Sequence, residues 1–280
     1  MAADFSIYEV GPRDGLQNLK HIIPIDDRAC LIGSLADAGL QDIEFGSFVH
    51  PKRVPTMGGT AELFQKCADV DANLAALIPN KKGMADALDV GVGRFNVFFS
   101  PDENFNVRNL GCFRDEAVAS YRQMLTDIPS SQVRVYLSMA FNSPLRPLTE
   151  TIVEAESLGD TVVLCDTNGF ASPDKMKQVL GLSHGHTALH LHHTGLTCNG
   201  EKSRMYDNLT IAYESGVRDF DTSIAGLGGC PFVKGSRGNL GTGELIGWAE
   251  REGLDCGVTL DDIKEAENLA KSLAKQEVLI

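Results

Sequence analysis

Apolar, β-branched runs of five to seven residues recur along the chain, separated by longer stretches whose apolar positions follow a helical period. The short runs predict strands at 5–10, 42–48, 74–78, 94–99, 133–138, 161–165, 188–192 and 218–222. The intervals predict helices, most clearly at 26–39, 114–128, 149–158, 173–182, 204–216 and 241–252. Asp26 is placed to cap the first helix and Gly39 to end it, and Pro173 suits the first turn of another. A final amphipathic stretch at 260–276 predicts a helix packed across one end of the fold. Eight strand–helix units with no Pro/Gly/Ser-rich linker favour a single (β/α)8 TIM barrel over residues 1–280, with 260–280 as a C-terminal helical extension. The rival is a doubly wound sheet, which usually carries about five to seven strands. A barrel makes a demand on the sequence: functional residues should gather where strands end and the following loops begin.

Charge narrows the partners. The 280 residues include 25 Lys+Arg against 38 Asp+Glu, a net charge of −13, which argues against wrapping nucleic acid. A phosphorylated ligand stays compatible if basic side chains are concentrated locally. No apolar run approaches a membrane span, and MAADFSIYEV lacks the basic start and long apolar stretch of a signal peptide. The expectation is a cytoplasmic protein that engages neither membrane nor nucleic acid. Seven cysteines, none in a C-x-x-C pair, are expected to be reduced and mostly packed in the core.

Several residues carry possible chemistry. Arg13 and Asp14 sit in the Gly/Pro-framed turn of EVGPRDGLQN (9–18), either solvated or aimed into a site. Glu44 lies inside the apolar run DIEFGSF, where an unpaired carboxylate costs several kcal/mol. It is either a structural ion pair or a neighbour of the site. Asp166, closing TVVLC, reads the same two ways. In ALHLHHTG, His190 and His192 leave the same face of a strand, as two ligands of a divalent metal would, while His193 points the other way. The stretch 223–246 is glycine-rich but matches neither a P-loop nor a dinucleotide fingerprint. Cys230 lies within it, where a thiol is less suited to filling the core. Asn239 reads as a helix N-cap or as an amide-oxygen ligand. One Asp, two His and an amide oxygen, without thiolate, suit Mg2+ or Mn2+ better than a closed structural zinc.

These segments together resemble the 3-hydroxy-3-methylglutaryl-CoA lyases, barrel metallolyases with a strand-end Arg-Asp pair. The resemblance runs through EVGPRDGLQN (9–18), IEFGSFVHPKRVPTM (43–57), IPNKKG (78–83), CDTNGFASP (165–173), HLHHT (190–194) and AGLGGCPF…GN (225–239). It implies retro-Claisen cleavage of 3-hydroxy-3-methylglutaryl-CoA, or a closely related branched 3-hydroxy-acyl-CoA, the former giving acetyl-CoA and acetoacetate. It further implies Asp14, His190, His192 and Asn239 as ligands of a divalent metal, Mg2+ or Mn2+. Arg13 would stabilise the enolate oxygen and Cys230 would donate a proton to the carbanion. Glu44 and Asp166 would tune the site, Asp166 assisting proton removal from the tertiary hydroxyl. No residue is assigned to the CoA tail, beyond an expectation of Lys or Arg at the rim. Three departures bear on the acyl group: His193-Thr194-Gly195 after the H-x-H, a longer 195–206 segment, and Gly243-Glu244 where the family has an acidic pair. The alternative is a Claisen condensing transferase or an aldolase on the same metal-binding barrel, which shares the Arg-Asp and H-x-H residues but not the GGCPF loop. A catalytically silent scaffold is a third reading. A homodimer is the generic expectation.

Overall fold

The structure, a computed structural model, describes residues 3–192, 204–228 and 238–275. All eight expected strands form: β1 (Ser6–Glu9), β2 (Asp42–Ser47), β3 (Asn73–Leu77), β4 (Phe95–Phe99), β5 (Val133–Leu137), β6 (Thr161–Asp166), β7 (His186–Leu191) and β8 (Asp219–Thr222). They pair in parallel in chain order and close into a barrel, with Ser6 of β1 in register with Asp219 of β8. Parallel neighbours require crossovers, and helices supply them. Helix α1 (Ile25–Asp37) joins β1 to β2, α2 (Thr60–Lys66) joins β2 to β3, and α3 (Lys81–Asp89) joins β3 to β4. Two short helices, α4 (Glu103–Asn109) and α5 (Arg114–Met124), lie between β4 and β5. Then follow α6 (Leu145–Glu156), α7 (Pro173–Leu180), α8 (Arg204–Glu214), α9 (Thr242–Glu252) and α10 (Lys264–Lys275).

Alternation along each strand divides the fold into two compartments. Ile43 and Phe45, Val162 and Leu164, and Leu189 turn outward and meet helix residues such as Leu31, Ile32 and Leu35 in the main core. Trp248 of α9 closes that core near β1 and β8, its ring against Phe5 and Phe220. The inward positions are mostly polar. A small cluster of Tyr136, Val163, Cys165 and Ala188 interrupts them in one layer. Helix α10 buries Ala266, Ala270 and Leu273 at helical spacing and packs on α1 and the Ile224–Gly226 turn after β8. His21 hydrogen-bonds the Leu273 carbonyl at 2.9 Å, tying α10 to the loop that follows β1.

Two expectations about helix starts are corrected. Pro24 precedes α1, so Asp26 falls within its first turn and pairs with Lys66 at 2.6 Å instead of capping. Gly241, not Asn239, caps α9, and Glu244 accepts the Gly241 N–H at 2.9 Å. That frees the Asn239 side chain for other partners. The 114–128 helix stops at Met124. Among the described residues no helix is long and apolar enough to cross a membrane.

Candidate active site

The turn after β1 supplies the first two groups. Gly11–Gly15 forms one wide turn in which the N–H groups of Asp14 and Gly15 both return to the Val10 carbonyl, at 2.7 and 3.4 Å. Turns of this i→i+5 kind are frequent at functional sites. Arg13 consequently lies over the barrel mouth, only 7% exposed. Its Nε donates to Glu44 Oε2, and a terminal N–H donates to Asp14 Oδ1 at 2.6 Å. Asn96 Nδ2 donates to the other Glu44 oxygen at 2.7 Å. Glu44 is therefore fully engaged beneath Arg13, satisfying the pairing that its apolar strand demanded.

Strand β7 and its end bring His190 and His192 onto one face, with their Nε2 atoms 3.2 Å apart. His190 Nδ1 faces Asp221 Oδ2 at 3.0 Å, and His192 Nδ1 faces the Thr167 carbonyl. Carbonyl and carboxylate oxygens only accept, so each Nδ1 carries the proton. The two Nε2 lone pairs are left converging, an arrangement that only a proton or a cation between them relieves. One ligand atom from each of Asp14, His190 and His192 lies within 4.8 Å of the others. Asn239 Nδ2 donates to Asp14 Oδ2 at 2.7 Å and to the Leu227 carbonyl at 3.0 Å. Its amide oxygen is buried and accepts no hydrogen bond from the described residues. The ion-pair network through this interior sets the guanidiniums of Arg13 and Arg134 against the carboxylates of Asp14, Glu44, Asp219 and Asp221. A divalent cation brings that set to neutrality. Donor chemistry, orphaned amide oxygen and charge all fit a hard or borderline divalent metal.

Electrostatics holds Asp14 and His192 in their metal-binding forms. Burial works against the Asp14 carboxylate, but Arg13, His190 and His192 outweigh it and lower it to about 2. Burial, reinforced by the neighbouring His190, lowers His192 to about 4, so its lone pair is available near neutrality. For His190, burial is overcome by Asp221 and Asp14, and its value rises.

Close packing brings the last loop to this cluster. Gly228 has φ +95, and a Cβ there would lie 2.7 Å from Asn239 Nδ2 and 3.0 Å from the Asp14 carbonyl. Only glycine tolerates both the conformation and the approach. Above the cluster opens a cavity of about 270 Å³. Arg13, Asp14, His190 and His192 form its polar part, and Val49, Val54, Phe98 and Phe105 line it with apolar surface. The Tyr136 hydroxyl is buried without a hydrogen-bond partner among the described residues, and its residue lines the same space. Arg53 stands at the cavity, exposed on the loop after β2.

Asp166 is not brought to this group. Cys165 and Thr167 line the cavity, so alternation turns the residue between them outward. Its Oδ2 accepts the Ala171 N–H at 3.0 Å. Burial raises the carboxyl to about 6, with the N–H groups of Ala171, Phe170 and Gly169 opposing. Cys230 and His193 lie outside the described residues. Three residues not foreseen from sequence support the site: Asp221 and Thr167, which orient the histidines, and Asn96, which holds Glu44. The first had a signal. In DFDT, Asp219 and Asp221 alternate with Phe220, which marks charges pointing into a barrel; Thr167 acts through its backbone and had none.

The chain is similar to known proteins over nearly its whole length. A model of the HMGL-like family matches residues 4–270. The mitochondrial hydroxymethylglutaryl-CoA lyase of Mus musculus is 35% identical over 275 residues, covering 93% of this chain and 82% of that protein. The hydroxymethylglutaryl-CoA lyase of Pseudomonas mevalonii is 32% identical over 280 residues, covering 92% and 89%. Among solved structures, an HMG-CoA lyase from Acinetobacter baumannii, in complex with coenzyme A and 3-methylmalate, superposes with a TM-score of 0.87 at 27% identity, covering 99% of this chain and 94% of that one. A barrel with Arg-Asp at the end of its first strand, paired histidines at the end of its seventh and this extent of similarity has one family assignment: the chain belongs to the HMGL-like family.

Proposed function

We propose that the protein is a divalent-metal-dependent acyl-CoA lyase that cleaves 3-hydroxy-3-methylglutaryl-CoA, or a closely related branched 3-hydroxy-acyl-CoA, to acetyl-CoA and a ketoacid. The observation that carries this reading is the convergence of Asp14, His190 and His192 beside an Arg13 already anchored by two carboxylates, at the base of a cavity. Asp14, His190, His192 and the Asn239 amide oxygen would hold the metal. When bound, it supplies a Lewis acid that lowers the pKa of the substrate hydroxyl.

The chain's own groups do the rest. In the retro-Claisen step the tertiary hydroxyl passes its proton to water in the open cavity and becomes the product ketone as the C2–C3 bond breaks. The bonding pair moves onto the thioester as an enolate. Arg13, fixed by Glu44 and Asp14, offers a cation with no reorganisation where that oxygen becomes negative. Cys230 is the proposed donor of the proton that turns the enolate carbon into the methyl of acetyl-CoA. Asp166, facing its own loop, is assigned to holding 166–171 in place, and with it the Thr167 carbonyl that orients His192. Arg53, exposed at the cavity, with the exposed Lys52 before it in the chain, gives an otherwise acidic chain the local positive charge that CoA phosphates need.

The test is direct: the protein is incubated with hydroxymethylglutaryl-CoA and Mg2+ or Mn2+, and acetyl-CoA and acetoacetate are quantified against a chelator control. Metal-dependent release of both supports the proposal. No turnover with either ion refutes that substrate, and condensation of acetyl-CoA with a 2-oxo acid would move the assignment to a condensing transferase. A reducing, cytoplasmic setting accords with the free thiols of Cys30, Cys67, Cys112, Cys165 and Cys256. The homodimer expectation is checked by light scattering.

A further inference from the structure

Beneath the cavity the polar interior forms a continuous circuit that leaves from one metal-binding side chain and returns to another. From His190, Nδ1 meets Asp221 Oδ2 at 3.0 Å. The other Asp221 oxygen accepts from Arg134 at 2.7 Å, and the second arm of the same guanidinium donates to Asp219 at 2.5 Å. The Cζ of Arg134 lies over the Tyr8 ring, 3.8 Å from its centre. The Tyr8 hydroxyl accepts from Asn96 Nδ2 at 3.0 Å, and Asn96 leads through Glu44 and Arg13 back to Asp14. Arg134 and Asp219 line a second, polar cavity of about 240 Å³ among the residues that begin the strands, at the opposite mouth of the barrel. Arg134 does not line the substrate cavity.

We propose that Arg134 is a positioning residue for the metal site, acting through Asp221 on His190. The inference rests on the lyase reading for the metal's identity, but its physical content is separate. A carboxylate behind a ligating histidine fixes the ring's orientation and tautomer. Such a carboxylate must itself be held, because a buried Asp221 without a partner would rotate toward water. Arg134 holds it with a planar fork that also engages Asp219 and rests on Tyr8. A lysine, a single point of charge on a flexible stem, cannot reproduce two directed bonds. Removing the fork is therefore expected to loosen His190 while leaving Arg13 and the substrate cavity chemically intact.

The test compares wild type with Arg134→Lys, Asp221→Asn and Asp219→Asn. Asp219 touches Arg134 but not His190, so its variant reports on general loosening of the barrel. Binding of Mn2+ alone is measured by titration. Arg134→Lys and Asp221→Asn are expected to weaken it about 10- to 100-fold, with Asp219→Asn close to wild type even if its melting temperature falls. In metal-free protein, 15N spectra of labelled histidine report the Nδ1–H form of His190 directly. Wild type is expected to hold that form, and Arg134→Lys to mix it with the Nε2–H form. An unchanged His190 signal with unchanged Mn2+ affinity in Arg134→Lys overturns the inference, as does an equal loss of affinity in Asp219→Asn. If wild type binds no Mn2+, the lyase reading falls, and the histidine spectra still decide whether Arg134 positions His190. If Arg134→Lys fails to fold, Asp221→Asn against Asp219→Asn gives the same comparison.

Discussion

Replacing Glu9 by Gln should make the protein more stable at alkaline pH than at acid pH relative to wild type. Glu9 is completely buried where β1, β8 and the start of α9 meet. Its Oε1 accepts the N–H groups of Gly11 and Ile224 at 2.7 and 2.8 Å, and its Oε2 faces the hydroxyls of Thr242 and Thr222 at 2.5 and 3.4 Å. Hydroxyls donate or accept, so this nest satisfies a protonated acid, and an amide, as well as a carboxylate. Burial raises the carboxyl from 4.5 to about 7, against those hydrogen bonds. Below pH 4.5 both folded and unfolded chains hold the proton, and the site contributes its full stability. Between 4.5 and about 7 the unfolded chain releases the proton while the folded one retains it, so stability falls as pH rises. Above about 7 the loss is complete, about 3 kcal/mol from this shift at about 1.4 kcal/mol per tenfold in proton affinity. The amide introduced by Glu9→Gln has no proton to lose in this range. Urea unfolding of both proteins in chelator at intervals from about pH 4.5 to about 8.5 should show the variant gaining about 3 kcal/mol on wild type across that window. A difference between the two that stays flat with pH would refute the reasoning.

Four further outcomes follow from the site. His192→Ala should lose metal binding and activity together, because it removes one of two converging lone pairs; retention of Mn2+ by calorimetry would remove His192 from the ligand set. Arg13→Lys should lower kcat about 10²- to 10³-fold, and a near wild-type rate would deny Arg13 its role at the enolate oxygen. Cys230→Ser should bind metal normally and lose turnover, and a wild-type rate would take the thiol out of the mechanism. Gly228→Ala should destabilise the fold by more than about 1 kcal/mol and weaken metal binding, since the added carbon meets Asn239 and the Asp14 carbonyl; unchanged melting and affinity would argue against the close approach.

Most of the architecture is legible along the chain. Short β-branched runs alternate with helical stretches because each parallel strand must be reached by a crossover, and the eight strand positions survive into the structure with ends moved by a residue or two. Helix starts were less legible. Helix α1 begins at Ile25, directly after Pro24, and Gly241 with Glu244 supplies the α9 cap assigned in one reading to Asn239. Capping depends on which residue leaves the helical conformation, and neighbours in space decide that.

The site divides in the same way. His190 and His192 declared themselves because two residues apart on a strand means one face, a property of the chain alone. Glu44 declared that it needed a partner because a carboxylate in an apolar strand does, although nothing local named Arg13. Asp166 showed the opposite: its place at a strand's end suggested the cavity, yet inward-facing Cys165 and Thr167 leave it pointing at its own loop. The sequence determined which side chains carry chemistry and which strands carry them, since composition and period are written residue by residue. Only the closed barrel decided that Asp14, His190, His192 and Asn239, up to 225 positions apart, converge, and that Arg134 stands behind them. Closure brings the first strand beside the eighth, and no local pattern encodes a contact made across the ring.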